Sequence, residues 1–192
     1  MTELGWVALG LAALAIVLVL LRSRIRARAE RLNSEVVRTG ATLERTLQGR
    51  AVAAIDIARS GQLDPASSVI LADIAMRCLE NIFNGGSGEY DESPAELRDR
   101  ALAESELSRG LRIIVPQVAE AAGHDPELRR LLTRLERRWQ RANMARTMHN
   151  ERVAQALRLR NSVPGRLAGI STPVPVTFDM DDAMPPAAPA PR

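Results

Sequence analysis

The sequence predicts an all-α protein in which an N-terminal transmembrane helix continues into an antiparallel bundle of about four long helices. Three observations support this fold class. Residues 5–21 contain neither charge nor proline, apolar residues recur at helical spacing through most of the remaining chain, and helix start signals divide that chain into segments of helical length. We therefore expect a membrane anchor over residues 1–22, a helical bundle over 23–170 and a disordered, Pro- and Ala-rich tail over 171–192.

The apolar segment from Gly5 to Leu21 is predicted to be a single membrane span. Its 17 residues would form a helix of roughly 26 Å, which is close to the thickness of the hydrocarbon core of a bilayer. A cleaved signal peptide is the weaker alternative, because the residues before Gly5 include Glu3 and no base. A buried core helix is also disfavoured, because no other segment is apolar enough to enclose it. Trp6 is expected in the outer interface.

Flanking charge predicts the orientation of this span. Arginines follow it and Glu3 precedes it, and basic residues next to a span stay on the cytoplasmic side. We expect a single-pass protein of the cell membrane, with its N-terminus outside and its C-terminal body in the cytoplasm. The basic flank at the membrane surface consists of Arg22, Arg24, Arg26 and Arg28.

Helix start and stop signals divide the chain after the span. Asp-Pro and Ser-Pro pairs place a capping side chain directly before a proline at the first helical position. The glycine-rich segment 84–92 lacks the spacing and the lysine of a phosphate-binding loop, and is expected to be a linker. We expect a continuous first helix to about Arg59 with Gly61 as its cap, further helices starting at Asp64-Pro65, Ser93-Pro94 and Asp125-Pro126, and a stop at Pro164-Gly165.

The composition excludes several classes of active site. All 26 basic residues are arginine, so P-loop, kinase-type and Schiff-base lysine sites are excluded. The single cysteine, Cys78, lies on an apolar helical stripe and is expected to be a small buried residue. Two histidines are too few for a His-rich metal site. We expect no cofactor, no metal site and no catalytic residue.

His149 lies on the apolar face of the last long helix. We expect a core or near-core histidine that is hydrogen-bonded across the bundle. An enzymatic alternative pairs His149 with Glu104 or Glu106. It requires one of these carboxylates to lie within hydrogen-bond reach of the imidazole in a cleft that water can enter.

Charge is divided between the helices. Residues 61–125 contain twelve acidic residues and five arginines, whereas residues 126–161 contain three acidic residues and ten arginines. Pairing between these two parts of the chain is the main interpretation. The alternative is a surface that binds the phosphate of anionic lipid or nucleic acid, although scarce aromatic residues disfavour nucleic acid. This surface would consist of Arg129, Arg130, Arg134, Arg137, Arg138 and Arg141.

The last long helix also resembles a known family. In the LemA family this helix carries Ala-Arg, then Tyr-Asn, Val and finally Phe-Pro, and the present chain has several of these residues at the same intervals. His149 stands where the family usually has Tyr, and Val163 stands where it has Phe. The positions that correspond to the family pattern are Ala145, Arg146, His149, Asn150, Val153 and Pro164.

The resemblance implies an all-α antiparallel bundle on a membrane stalk, with no known catalytic site. We expect a non-catalytic interaction or scaffold module. Its expected partners are the lipid bilayer and other membrane or cytoplasmic proteins, and the sequence leaves the oligomeric state open.

Overall fold

The computed structural model describes residues 2–84, 94–123, 125–170, 172 and 174–183. These residues form helices and connections, with no β-strand among them. The predicted all-α class is therefore confirmed for the described part of the chain. The helices are α1 (Thr2–Ala58), α2 (Pro65–Asn84), α3 (Pro94–Ala122), α4 (Pro126–Asn161) and α5 (Val163–Ala168).

α1 is one continuous helix with an exposed N-terminal part and a packed C-terminal part. The side chains from Gly5 to Arg24 are exposed, and buried positions begin at Ala29. Of the described helices, α1 is the one that is long and apolar enough to cross a membrane, by length and composition. A signal sequence near an N-terminus would pass the same test.

The packed part of α1 lies alongside α4, and the two helices run in opposite directions. Glu35 pairs with Arg152 at 3.3 Å, whereas Asp56, further along α1, pairs with Arg134 at 3.2 Å, nearer the start of α4. α2 packs between α1 and α3, and Arg77 of α2 pairs with a glutamate of α3 at 3.3 Å. α2 follows the C-terminal end of α1, so it starts at the end of the helical body that is far from the exposed part of α1.

Two apolar clusters fill the body. The larger one lies at the end far from the exposed part of α1, where small alanines of α1 allow close approach of the other helices. Cys78 belongs to it and is 1% exposed, as the sequence predicts for a small hydrophobic residue. Burial, together with the nearby Glu104 carboxylate, raises the pKa of the Cys78 thiol far above its usual range, so the thiol stays protonated. The smaller cluster consists of Leu43, Leu47, Ala142, Ala145, Phe178 and Met180.

The predicted Asp-Pro helix starts are confirmed. The Asp64 carboxylate accepts hydrogen bonds from the backbone N–H groups of Ala66 and Ser67, both at 3.0 Å, and Asp125 caps α4 in the same way. α1 ends at Ala58, and Gly61 adopts a positive φ of 73° in the connection that follows. The predicted capping serine and the linker at 84–92 lie outside the described residues, except for the last residue of α2.

The prediction that Pro164-Gly165 stops the fourth helix is corrected by the structure. α4 ends earlier, at Asn161, and Pro164-Gly165 belongs to the short helix α5. Ser162 ends one helix and caps the next, because its hydroxyl accepts the backbone N–H of Gly165 at 3.2 Å. A proline in the first turn of α5 removes no intrahelical hydrogen bond, so it starts this helix as readily as it would end another.

Candidate functional site

The C-terminal segment 174–183, here called the strap, lies in a groove between α3 and α4. Phe178 and Met180 of the strap are each 5% exposed and pack on α1 and α4. This corrects the prediction of a disordered tail over 171–192 for the strap itself, while residues 184–192 lie outside the described part of the chain. The physical reason is that helix side chains satisfy the backbone of the strap, so it needs no regular structure of its own.

Asn150 of α4 holds the backbone of the strap. Its amide Nδ2 donates to the carbonyl of Phe178 at 2.9 Å, and the backbone N–H of Phe178 donates to Asn150 Oδ1 at 2.9 Å. A carboxamide carries one donor side and one acceptor side, so it can replace the edge of a neighbouring β-strand. These contacts recognise an extended backbone rather than a particular side chain.

Three further side chains bind the backbone at the other end of the strap. The indole Nε1 of Trp139 and the amide Nδ2 of Asn143 both donate to the carbonyl of Asp182, at 3.2 and 3.0 Å. On the α3 side, the hydroxyl of Ser105 accepts the backbone N–H of Asp181 at 3.0 Å. The strap is thus fixed from both walls of the groove.

Alternate side chains of the strap enter the groove. Phe178 and Met180 point into the smaller apolar cluster, whereas the side chain of Asp179 between them is 96% exposed. This alternation is what an extended segment with one buried face requires. The guanidinium of Arg100 lies 5.9 Å from the centre of the Phe178 ring, which adds a cation–π contact.

Two arginines bind the acidic end of the strap. Arg112 of α3 binds both carboxylate oxygens of Asp181, with Nη1 at 3.0 Å from Oδ1, and Arg146 of α4 binds the carboxylate of Asp182. The hydrogen bonds from Arg112 lower the pKa of Asp181 and raise the pKa of Arg112, so this pair stays charged at neutral pH. The groove therefore has an apolar floor and a positively charged rim.

A buried ion pair lies beneath Met180. Arg50 of α1 binds Glu104 of α3 at 2.5 Å, and their side chains are 0% and 1% exposed. Arg50 also donates to the hydroxyl of Ser108 at 3.0 Å and lies 5.1 Å from the centre of the Trp139 ring. Met180 covers this pair, with its sulfur 4.0 Å from Arg50 Nη2. The pair joins α1 to α3, which are also joined by the ion pair between Arg100 and Glu44 at 3.3 Å.

The residues of the enzymatic alternative do not come together. Glu104 is held by Arg50 and Glu106 is held by Arg77, while the Nδ1 atom of His149 lies 3.3 Å from the hydroxyl of Thr39. His149 is half-buried between α1 and the strap. Its desolvation lowers the pKa of the imidazole, although hydrogen bonds to the backbone of strap and α1 residues oppose this.

The family-pattern positions divide into strap-binding, core and surface residues. Arg146 and Asn150 bind the strap, Ala145 and Val153 are buried in the body, and Pro164 is exposed on α5. The sequence alone did not identify Trp139, Asn143, Arg112 or Arg50 as groove residues. A signal was present in the alternation Phe-Asp-Met-Asp-Asp at 178–182, which faces the strongly basic α4.

The six arginines of the first half of α4 line an open surface depression of about 620 Å³. Arg130 pairs with Glu127 of its own helix and Arg134 pairs with Asp56 of α1. Within the described part of the chain, no ion pair is formed by Arg129, Arg137, Arg138 or Arg141. The charge pairing predicted between helices therefore neutralises part of this surface and leaves part of it free.

The residues of the predicted span and of its basic flank lie at the opposite end of the body. Trp6 is 71% exposed and Leu21 is 50% exposed in the apolar N-terminal part of α1, and Gly5 is also exposed. All four arginines of the basic flank are exposed, and Arg26 also donates from Nε to the carbonyl of Ala168 at 2.9 Å.

Among the described residues, no group of three or more His, Cys, Asp or Glu side chains could hold a metal ion. In the comparisons with known proteins, no family model, no curated protein and no solved structure matches the chain.

Proposed function

We propose that this protein is a single-pass, membrane-anchored helical bundle, similar to LemA, that acts without catalysis as an interaction or scaffold module. The observation that carries the proposal is the strap groove, in which helix side chains bind the backbone of an extended segment from both sides. Such a groove can bind extended segments of other proteins by the same contacts.

The chemistry of the groove indicates which segments would bind. The apolar floor accepts two alternating side chains, as it accepts Phe178 and Met180, and the arginines on the rim accept two consecutive carboxylates. The matching class is an extended peptide with the pattern apolar, any residue, apolar, acidic, acidic. The strap is such a peptide in the same chain and is present at high effective concentration, so it competes with any partner segment.

A binding experiment with an opened groove tests this proposal. The double variant Phe178→Ser with Met180→Ser, prepared as the full chain in nanodiscs, should release the strap and bind a labelled peptide of residues 174–183. The intact chain should bind this peptide at least about tenfold more weakly, because its own strap occupies the groove. Adding Arg112→Ala and Arg146→Ala to the opened chain should abolish binding. Adding Arg129→Ala and Arg137→Ala, which lie outside the groove, is the matched control.

If the opened chain keeps its helical content and still binds no peptide, the groove is not an interaction site and the proposal fails. Binding that survives the loss of both rim arginines would contradict the proposed recognition of acidic segments.

The anchor and its orientation form a separate part of the proposal. The exposed apolar third of α1 supports a membrane span, and the arginines that follow it support a cytoplasmic body. Labelling with a membrane-impermeant maleimide in intact cells should modify Thr2→Cys but not Ser23→Cys. Cys78 is buried and serves as an internal negative control. The reverse labelling pattern would place the body outside the cell.

A second candidate function is phosphate binding at the arginine surface of α4, supported by the four arginines there that form no ion pair among the described residues. Asp56, which contacts this surface, lies 34 residues beyond Arg22 on α1, a distance of about 51 Å along the helix. This distance favours a soluble polyanion over the headgroups of the membrane that α1 would span.

Titration with a salt series tests the second candidate. A labelled single-stranded oligonucleotide or inorganic polyphosphate should bind at low salt and be released as salt increases. The triple variant Arg129→Gln, Arg137→Gln and Arg141→Gln should lose this binding. Changing Arg152 and Arg158, at the other end of α4, to Gln removes charge without touching the surface. Equal effects of the two sets would exclude a defined site.

A further inference from the structure

The short helix α5 has an unusual distribution of polarity. Its buried residues are the small Gly165 and Ala168, while its larger apolar residues are outside: Val163 is 72% exposed and Leu167 is 75% exposed. These two side chains are four residues apart, so they lie on the same face of the helix. A helix on the surface of a soluble body normally has the opposite arrangement, with its larger apolar residues buried.

α5 cannot turn this face inwards. A Cβ atom at Gly165 would lie 2.0 Å from the backbone carbonyl oxygen of Leu159, so the glycine side of α5 packs directly on the backbone of α4. The Ala168 side is fixed by the hydrogen bond from Arg26 to its carbonyl at 2.9 Å. The exposed apolar face is therefore a fixed feature of the fold.

The position of α5 indicates what covers this face. Arg22 Nη2 lies 3.3 Å from the position that a Cβ of Gly169 would occupy, directly after the last residue of α5. Arg22 immediately follows Leu21, the last residue of the exposed apolar part of α1. α5 thus lies within reach of the side chains of Arg22 and Arg26, which follow Leu21 by about 1.5 Å and about 7.5 Å along the helix axis.

We infer that α5 is a second membrane contact, which rests Val163 and Leu167 in the interface of the bilayer that α1 spans. Leucine and valine enter the boundary between headgroups and acyl chains, and an arginine on the same short helix can reach the phosphates. Arg166 of α5 is exposed and suited to this contact, as are the exposed arginines of the basic flank. This inference rests on the membrane anchor of the proposed function and is independent of the strap groove.

Fluorescence in vesicles tests the contact. Full-length chains with one introduced cysteine, labelled with the environment-sensitive fluorophore NBD, are reconstituted in vesicles with and without bromine-substituted lipids. Leu167→Cys reports on α5. Ile113→Cys on α3, which replaces a side chain that is 66% exposed, is the matched control on the body. Val17→Cys reports on the span, and the unsubstituted chain shows that buried Cys78 stays unlabelled.

The emission of labelled Leu167→Cys is expected to shift to shorter wavelength. Its quenching by the brominated lipids is expected to be closer to that of Val17→Cys than to that of Ile113→Cys. If position 167 behaves like position 113 while position 17 is quenched, the anchor stands and the inference fails. A shifted emission at 167 without lipid quenching would assign the face to a protein contact and would also overturn it. Absence of quenching at position 17 would overturn the anchor and the inference together.

Discussion

The carboxamide of Asn150 and the backbone of Phe178 form a closed pair of hydrogen bonds, each 2.9 Å long, between α4 and the strap. The two residues are 28 positions apart in the chain, and the intervening residues turn at α5 before the strap returns along the groove. A single side chain therefore replaces the strand neighbour that an extended backbone otherwise lacks.

Replacing Asn150 with Ala should release this part of the strap. The backbone N–H and carbonyl of Phe178 would lose their partners, at a cost of about 1–3 kcal/mol for unsatisfied buried groups. Hydrogen exchange followed by mass spectrometry should show faster exchange in residues 174–183, with unchanged exchange in α2. Asn161→Ala, at the exposed end of α4, is the control. Equal protection of the strap in Asn150→Ala and the native chain would contradict the role assigned to this amide.

Glu104→Ala should be among the most destabilising substitutions in the body. It leaves the buried guanidinium of Arg50 without its ion-pair partner, which typically costs about 3–5 kcal/mol. Glu106→Ala removes a half-exposed partner of Arg77 and should cost about 0–1 kcal/mol. Chemical denaturation of both variants in mild detergent, followed by circular dichroism, measures the difference.

A paired replacement separates charge burial from packing at the same site. Arg50→Met combined with Glu104→Leu removes both buried charges and should recover most of the stability that Glu104→Ala loses. If the double variant is as unstable as Glu104→Ala, packing around Arg50 matters more than its charge.

Two glycines should respond to Ala in opposite ways. In Gly165→Ala the new methyl group would lie 2.0 Å from the Leu159 carbonyl oxygen. Because this atom belongs to the backbone and cannot move as a flexible side chain can, we expect a loss of about 1–3 kcal/mol in the free energy of unfolding. In Gly110→Ala the nearest atom is Ile74 Cδ1 at 3.6 Å, so the higher helix propensity should add about 0.5–1 kcal/mol. Thermal unfolding of both variants checks the sign, and a Gly165→Ala variant that is as stable as the native chain would contradict the packing described for α5.

His149 should make stability depend on pH in the mildly acidic range. Burial lowers its folded-state pKa below the ordinary value of 6.5, so below that pH the unfolded chain binds more protons than the folded chain. The contribution of the neutral imidazole to the free energy of unfolding is complete above about pH 6.5. It decreases as the pH falls towards the folded-state pKa. The free energy of unfolding of the native chain should therefore fall between about pH 7.5 and about pH 5.5 more steeply than that of His149→Gln. Parallel curves for the two proteins would contradict this assignment.

Local signals in the sequence were sufficient for most of the fold. Capping and proline geometry depend on residues that are adjacent in the chain, so Asp64-Pro65 and Asp125-Pro126 predict the starts of α2 and α4 correctly. The stop at Pro164-Gly165 was predicted wrongly because a proline that ends one helix and a proline that starts another look alike in sequence. Ser162, which caps α5, is the residue that distinguishes them.

The candidate site was less accessible from sequence. Asn150 and Arg146 were identified through a family resemblance, but their ligand was not, because the alternation at 178–182 is short and precedes a Pro- and Ala-rich end. The pair Arg50 and Glu104 joins residues 54 positions apart, and their spacing alone does not separate them from the many exposed charges. Contacts of this kind are set by how the helices pack, which no local pattern encodes.

The continuity of α1 has a mechanical consequence. From Arg22 to Ala58 the helix extends about 54 Å beyond the end of the apolar segment without a break, so it could act as a lever arm whose short side would lie in lipid. A change of about 10° in the tilt of the span, within the range that bilayer thickness imposes, would move the far end of the body by about 9 Å. Most of this movement is parallel to the bilayer, so membrane thickness would set the lateral position of the arginine surface of α4 rather than its height.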